Sequence, residues 1–347
     1  MTATATNRLP KLIHLTDDEP GLGRVLNEKT GAFHYVDVDG KRIKRKKVIE
    51  RIEAIVIPPA WRDVWICPDP NGYLLCTGRD EKDRKQYRYH PDWTAYQQQT
   101  KFDRLIEFAE TLPVIRRRVH DQLRRTEWDR ERVLALAVAL LDETGMRIGN
   151  QSYQDTNGTY GLTTLRRKHV DFNSEGIQFH FRGKSKQDRE VELHDPELIQ
   201  LVKDVTDLPG YRLFRYQGTD GKVHDLDSAD VNDYIRQLSD QADFSAKTFR
   251  NWAGTTAAVE YYPEALKEYR TKENRRNLEN ILLDKVCTFL GNTPAICREY
   301  YIHPAVLRAV RAEKIPSPKK LSVREQKIFG EELEREELIA YRLMLRG

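Results

Sequence analysis

The apolar residues of this 347-residue chain change their spacing near residue 95, from alternate positions to a helical repeat. That change decides which part can be a sheet and which a helical bundle. Before it, short alternating runs are broken by turn residues. FHYVDVDGKRIK alternates around Asp39 and Gly40, a hairpin pattern. KKVIERIEAIVIPP places Val48, Ile49, Ile52 and Ile55 at helical spacing, and Pro58 and Pro59 end that helix. WRDVWICPDPNGYLLCTGRD reads as two strands joined at a Pro-Asn-Gly turn. Residues 1–95 are therefore expected to form a small α+β domain with an antiparallel sheet.

From residue 96 to 347 the pattern predicts a mainly α-helical domain. KFDRLIEFAETL and DRERVLALAVALLDETG carry a 3.6-residue repeat, and Gly145 falls where the second helix should stop. Residues 162–194 interrupt the helices, with Ile177, Phe179 and Phe181, then Val191 and Leu193, in strand alternation. A small antiparallel sheet is expected there. Helical spacing returns in DSADVNDYIRQLSD, AKTFRNWAGTTAAVEYY and NRRNLENILLDKVCTFLG. The amphipathic tail EELEREELIAYRLML carries no recognisable chemistry.

Charge and cysteines narrow the classes. A net charge of +4 favours a polyanion only weakly, so clustering has to carry that argument. Cys67, Cys76, Cys287 and Cys297 form no C-x-x-C pair, which points away from structural zinc and towards a reducing compartment. No leader pattern stands at the N-terminus, and no apolar run approaches the roughly 20 residues of a membrane span. The expected location is cytoplasmic.

Several residues suit phosphate chemistry. In RKQYRYH, Arg84, Lys85 and Arg88 interleave with Gln86, Tyr87 and Tyr89. In an extended strand both tyrosines share one face, and cations beside aromatics suit contact with bases and phosphates together. A polar edge strand is the plain alternative. KRIKRKK, from Lys41 to Lys47, is the densest positive cluster and reads first as solvated surface. Arg147, in ETGMRIGN, lies at a helix-to-loop corner that can present a guanidinium fork. Lys184, in FRGKSK, sits where the Phe179 and Phe181 alternation stops, at an expected hairpin tip. Arg250, in AKTFRNW, has the small residues Gly254 and Ala257 four and seven positions on, leaving room for another backbone.

Asn292 and Tyr301 bracket TPAICREY. An unbroken helix between them would hold them about 13 Å apart. For both to meet one phosphate, the helix must break or bend before Tyr301. A helical reading leaves Tyr300 and Tyr301 equally eligible.

With these motifs in order, the chain resembles the type IB DNA topoisomerases of the compact bacterial and poxvirus-like kind. The resemblance runs from IPPAWRDVWICPDPNGYLLCTGRDEKDRKQYRYHP through RIGN, GLTTLRRKHV, FRGKSK and AKTFRNW to GNTPAICREYYIHP. It implies a tyrosine recombinase/topoisomerase IB-like fold. It implies a nucleophile at Tyr301, catalytic arginines at Arg147 and Arg250, and a general acid at Lys184. Gln86, Tyr87 and Tyr89 match residues that contact the duplex. Asn292 stands where the poxvirus branch has a histidine, and an amide can also donate to a non-bridging oxygen. The implied partner is double-stranded DNA held by a monomeric C-shaped clamp, with no ATP, metal or other cofactor. A tyrosine recombinase is the nearest rival, but such enzymes usually carry a histidine where this chain has Lys247. A non-catalytic DNA-binding protein would not need five intact site positions.

Overall fold

The computed structural model describes residues 11–271, 276–317, 320–330 and 332–346, and the chain forms two compact units, Met1–Phe102 and Asp103–Gly347. The first ten residues, read above as lacking a leader, lie outside the described part. So do Asn274 and Arg275 of NRRNLENILLDKVCTFLG and Glu331 of the tail segment.

In the first unit, β1 (Leu22–Leu26), β2 (Phe33–Val36), β3 (Arg62–Ile66), β4 (Leu74–Arg79) and β5 (Lys85–Tyr89) make one antiparallel sheet in the order β2-β1-β3-β4-β5. Helix α1 (Lys46–Ala54) drives Ile52 into the core formed with Leu22, Val64, Ile66 and Cys76. Val48 and Ile55 pack half-buried beside it. The helix stops at Ala54, ahead of the two prolines, and Val56 takes a left-handed backbone at φ 54°. Arg24 then gathers the loop by donating to the carbonyls of Ile57, Pro58 and Trp61 at 3.1, 2.9 and 2.7 Å. The turn at Asp39 and Gly40 forms, but its return arm pairs through a single bridge, Val36 to Arg42. Beyond Ile43 the segment is wholly charged, so nothing apolar extends the ladder.

The division between units falls within α2 (Pro91–Leu123). KFDRLIEFAETL is its middle, and the helix runs on through Pro113 because Ile115, Val119 and Leu123 continue the same buried stripe. Helix α3 (Arg130–Thr144) is buried almost all round, capped by the Asp129 carboxylate at its start and by Gly145 in the left-handed region at its end. After α4 (Gln151–Asn157) come β6 (Val170–Phe172), β7 (Ile177–Arg182) and β8 (Asp188–Leu193), an antiparallel sheet in that order. Helix α5 (Pro196–Thr206), the small ribbon of β9 (Arg215–Gln217) and β10 (Val223–Asp225), and α6 (Ser228–Leu238) lead to α7 (Ala246–Glu260).

Helix α7 is the axis of the second unit. Ala257, Ala258 and Val259 pack into one core with α8 (Tyr262–Tyr269), α9 (Leu278–Leu290) and α11 (Pro304–Arg311). Between α9 and α11 lie the short α10 (Pro294–Ile296) and a five-residue π turn, Cys297–Tyr301. Helices α12 (Val323–Phe329) and α13 (Arg335–Leu345) close the unit. The tail stretch read as lacking chemistry is α13, and it packs Ile339, Ala340 and Leu343 into this same core. Trp252 of α7 donates to the Glu337 carboxylate of α13 at 2.8 Å. Among the described residues no helix is long and apolar enough to cross a membrane.

Candidate active site

Four of the five expected site residues meet in the second unit. Gly145 ends α3 and turns the chain so that Met146 is buried and Arg147 half-buried. The corner is held by backbone bonds from Leu162 and Thr163 to the carbonyls of Arg147 and Ile148, each 2.8 Å. A side chain at Gly161 would strike the Arg147 carbonyl, so the two loops touch backbone to backbone.

Arg250 is only 4% exposed. Its guanidinium donates to the carbonyls of Gly145, the residue that caps α3, and Leu290, the last residue of α9. Helix ends leave such carbonyls unpaired, so one arginine draws both helix ends to one point. The guanidinium carbon lies 5.1 Å from the centre of the Tyr301 ring.

The small face of α7 is occupied by the chain itself. A Cβ at Gly254 would sit 2.9 Å from the Tyr301 carbonyl and 3.1 Å from its Cβ. Thr255 donates to that carbonyl at 3.2 Å and accepts from the His303 amide at 3.1 Å. Ile302 is fully buried, and the His303 side chain caps α11, where Pro304 takes the first position. The Ile-His-Pro after the tyrosine thus anchors its backbone.

The break expected before Tyr301 is the π turn, in which the Ile302 amide bonds to the Cys297 carbonyl five residues back. A π turn widens the helix and rotates the residues after it. Tyr301 faces Arg250. Tyr300 is 36% exposed, and its hydrogen bond to Glu299 pushes its phenol pKa up. Asn292 follows Gly291, which ends α9 in the left-handed region at φ 61°. Arg147 donates to the Gly291 carbonyl at 3.1 Å and to the Asn292 side-chain oxygen. Among the described residues the Asn292 amide nitrogen and the Arg250 Nε are buried with no partner.

The electrostatics are lopsided. Burial and then Arg147 push Arg250 down to about 10, against an opposing pull from Tyr301. Burial also lowers Arg147, with Tyr301 and Cys297 working the other way. Both remain cations at neutral pH, each held at a cost that a bound anion would offset.

Lys184 is placed differently. It lies exposed on the turn between β7 and β8, where Ser185 and Lys186 both take left-handed backbone. Among the described residues no hydrogen bond or ion pair joins it to the other four. A residue absent from the sequence reading links its turn to them. Arg189 of β8 donates to the carbonyls of Thr288 and Phe289 at 3.1 and 2.8 Å. Strand phase could have found it, because Arg189 shares the inward face of Val191 and Leu193.

In the first unit RKQYRYH is the edge strand β5. Tyr87 and Tyr89 share a face, 46% and 43% exposed, with rings stacked 6.1 Å apart. Lys85 lies over Tyr87 and pairs with Asp17 at 2.7 Å. Gln86 and Arg84 both bond to Asp80, and Arg88 reaches the Val56 carbonyl at 3.4 Å.

The sequence family described as "Eukaryotic DNA topoisomerase I, catalytic core" matches residues 86–327, and "Bacterial DNA topoisomerase IB, N-terminal domain" matches residues 32–80. The chain is 30% identical over 297 residues to DNA topoisomerase 1B of Acanthamoeba polyphaga mimivirus, covering 82% of this chain and 87% of that protein. Against DNA topoisomerase 1B of Vaccinia virus (strain Copenhagen) it is 22% identical over 242 residues, 69% of this chain and 73% of the other. A structure of the XerH site-specific recombinase on its palindromic difH substrate aligns with 68% of this chain and 59% of its own, at 16% identity and a TM-score of 0.35.

Proposed function

The chain belongs to the type IB DNA topoisomerases, and from that premise we propose that Tyr301 is its nucleophile and that Arg147, Arg250, Asn292 and Lys184 complete the catalytic set. The activity is that of a DNA topoisomerase IB: relaxation of supercoiled duplex by cutting one strand, letting it rotate, and resealing it. The Tyr301 oxygen attacks a backbone phosphorus and loses its proton to solvent. The bond from phosphorus to the 5′-oxygen breaks, and Lys184 gives that oxygen its proton. A 3′-phosphotyrosyl link and a 5′-hydroxyl result. The reverse steps reseal the strand, so the ester energy is conserved in the link and no nucleotide is consumed.

Arg147, Arg250 and the Asn292 amide stabilise the two non-bridging oxygens as charge builds on them. Fixed donors need no reorganisation during the reaction. One observation carries this reading: an unpartnered buried donor on Arg250 lies beside the Tyr301 ring, and another on Asn292 is held by Arg147, in a pocket of uncompensated positive charge. We assign duplex contact in the first unit to Gln86, Tyr87 and Tyr89, with Arg84, Lys85 and Arg88 beside the phosphates. The stacked, exposed tyrosine pair on an edge strand supports this. The protein acts as a monomer on the nucleoid, in the cytoplasm.

Plasmid relaxation in EDTA without nucleotide tests the assignment. Tyr301→Phe should abolish relaxation and leave duplex binding nearly intact, whereas Tyr300→Phe should stay active. An inactive Tyr300→Phe beside an active Tyr301→Phe would move the nucleophile. Exchange of strands between two paired sites would instead favour a recombinase.

A further inference from the structure

We infer that Arg189 is a positioning residue that sets the Lys184 turn in register with the phosphate pocket, an inference that rests on Lys184 being the general acid. Two glycines show the contact. A Cβ on Gly183, the residue before Lys184, would fall 2.7 Å from the Arg189 Cγ. A Cβ on Gly291, the residue before Asn292, would fall 2.2 Å from its Nη1 and 2.3 Å from its Cζ. One side chain therefore lies flat on both residues that precede a site group, and only glycine leaves it room at either end.

The guanidinium is fixed as well as close. It caps the end of α9 through the Thr288 and Phe289 carbonyls, where a cation also complements the helix dipole. Gly291 is thus held from two sides, by Arg189 against its Cα and by Arg147 at its carbonyl. At the other end Arg189 pairs with Phe181 across the ladder, and the turn closes through Gly183 to the Gln187 carbonyl at 2.7 Å. Among the described residues no carboxylate pairs with Arg189. Burial and then the charge of Arg147 lower its pKa. A half-buried arginine beside two others, without an acid, is a costly way merely to fasten a hairpin. Its contacts make sense as a gauge between the turn that carries the acid and the loop that carries the amide.

The test separates proton delivery from every other defect. A 5′-bridging sulfur in place of the oxygen leaves as a thiolate and needs no proton. Single-turnover cleavage by the full chain is measured on a duplex whose cleavage position has first been mapped, with oxygen or sulfur at the bridge. Arg189→Ala should slow the oxygen ester by about 10²-fold, the scale of a misplaced catalytic group, and recover most of that rate with sulfur. Lys184→Ala should show the same pattern. Arg189→Lys keeps the charge but cannot hold both carbonyls, so it should fall between, with the same recovery. Arg189→Ala cutting the oxygen ester at the native rate would overturn the inference. So would a slow Arg189→Ala that sulfur does not restore while it restores Lys184→Ala. If sulfur fails to restore Lys184→Ala itself, the acid assignment falls and the inference with it. Should Arg189→Ala not fold, by loss of its melting transition, Arg189→Lys decides by the same ratio of sulfur to oxygen rates.

Discussion

The second unit holds two arginines in opposite ways, one half-buried and one buried. Arg116 of α2 fills its donors with carboxylates: Asp142 at 2.7 and 3.2 Å, Glu337 at 2.8 Å twice, and the Glu332 carbonyl at 2.7 Å. Burial alone would lower its pKa, but Asp142 and Glu337 more than reverse that and raise it. Arg250, on α7, has carbonyls, a phenol ring and another arginine for company, and its pKa falls to about 10. The less buried of the two, Arg116, is thus balanced by acids, while the more deeply buried Arg250 is left in credit for an anion. A paired buried charge fastens helices together; an unpaired one waits for a ligand.

The comparison breaks most visibly at Glu337. Glu337→Ala should strand Arg116 and leave Trp252 without an acceptor, costing about 3–5 kcal/mol. Thermal melting should drop by roughly 10 °C or more. A loss under about 1 kcal/mol would mean that the network is not what fixes α13.

Arg250→Ala should do the reverse. Cleavage should slow by about 10²–10³-fold, the usual consequence of losing one oxyanion donor, while the melting temperature moves far less than in Glu337→Ala. Single-turnover cleavage measured beside calorimetry reads both. A large melting loss with near-native cleavage would turn Arg250 into a structural residue.

A smaller effect sharpens the contrast. Inorganic sulfate should stabilise the native chain by about 1.4 kcal/mol at ten times its dissociation constant. That specific rise should vanish in the Arg147→Ala, Arg250→Ala double variant, where only the generic salt effect stays. Equal stabilisation of both chains would show that the pocket does not hold an anion.

The smallest effect lies with acid. The Arg342 hydrogen bond holds Glu325 down at about 2 despite burial. A carboxyl lowered in the folded state contributes fully above its ordinary value near 4.5 and loses that contribution as pH falls towards 2. The melting difference between the native chain and Glu325→Gln should therefore be present at pH 6 and shrink by pH 3. A difference that grows on acidification would reverse the sign assigned to this pair.

Much of the scaffold could be read from spacing. Alternation marks β3, β4, β7 and β8, the helical repeat marks α3 and α7, and Gly145 marks the corner that presents Arg147. Gly254 announces a close backbone neighbour, although spacing does not say that the neighbour is the segment of Tyr301. Three things escape a first reading of the spacing. The π turn has no sequence signature of its own and follows from Thr255 and Ile302 fixing the chain just beyond it. Arg189 hides in a strand whose other inward residues are apolar. The role of α13 depends on Arg116, more than 200 positions away.

The sequence by itself determined the elements, the two-part division of character and the chemical kit, because propensity, periodicity and side-chain identity are local. Only the tertiary structure decided which guanidiniums are neutralised, which tyrosine faces them, and where the helix gives way before it. Those outcomes depend on which charges and carbonyls end up within a few ångströms in a medium of low dielectric, and that distance is set by packing between segments.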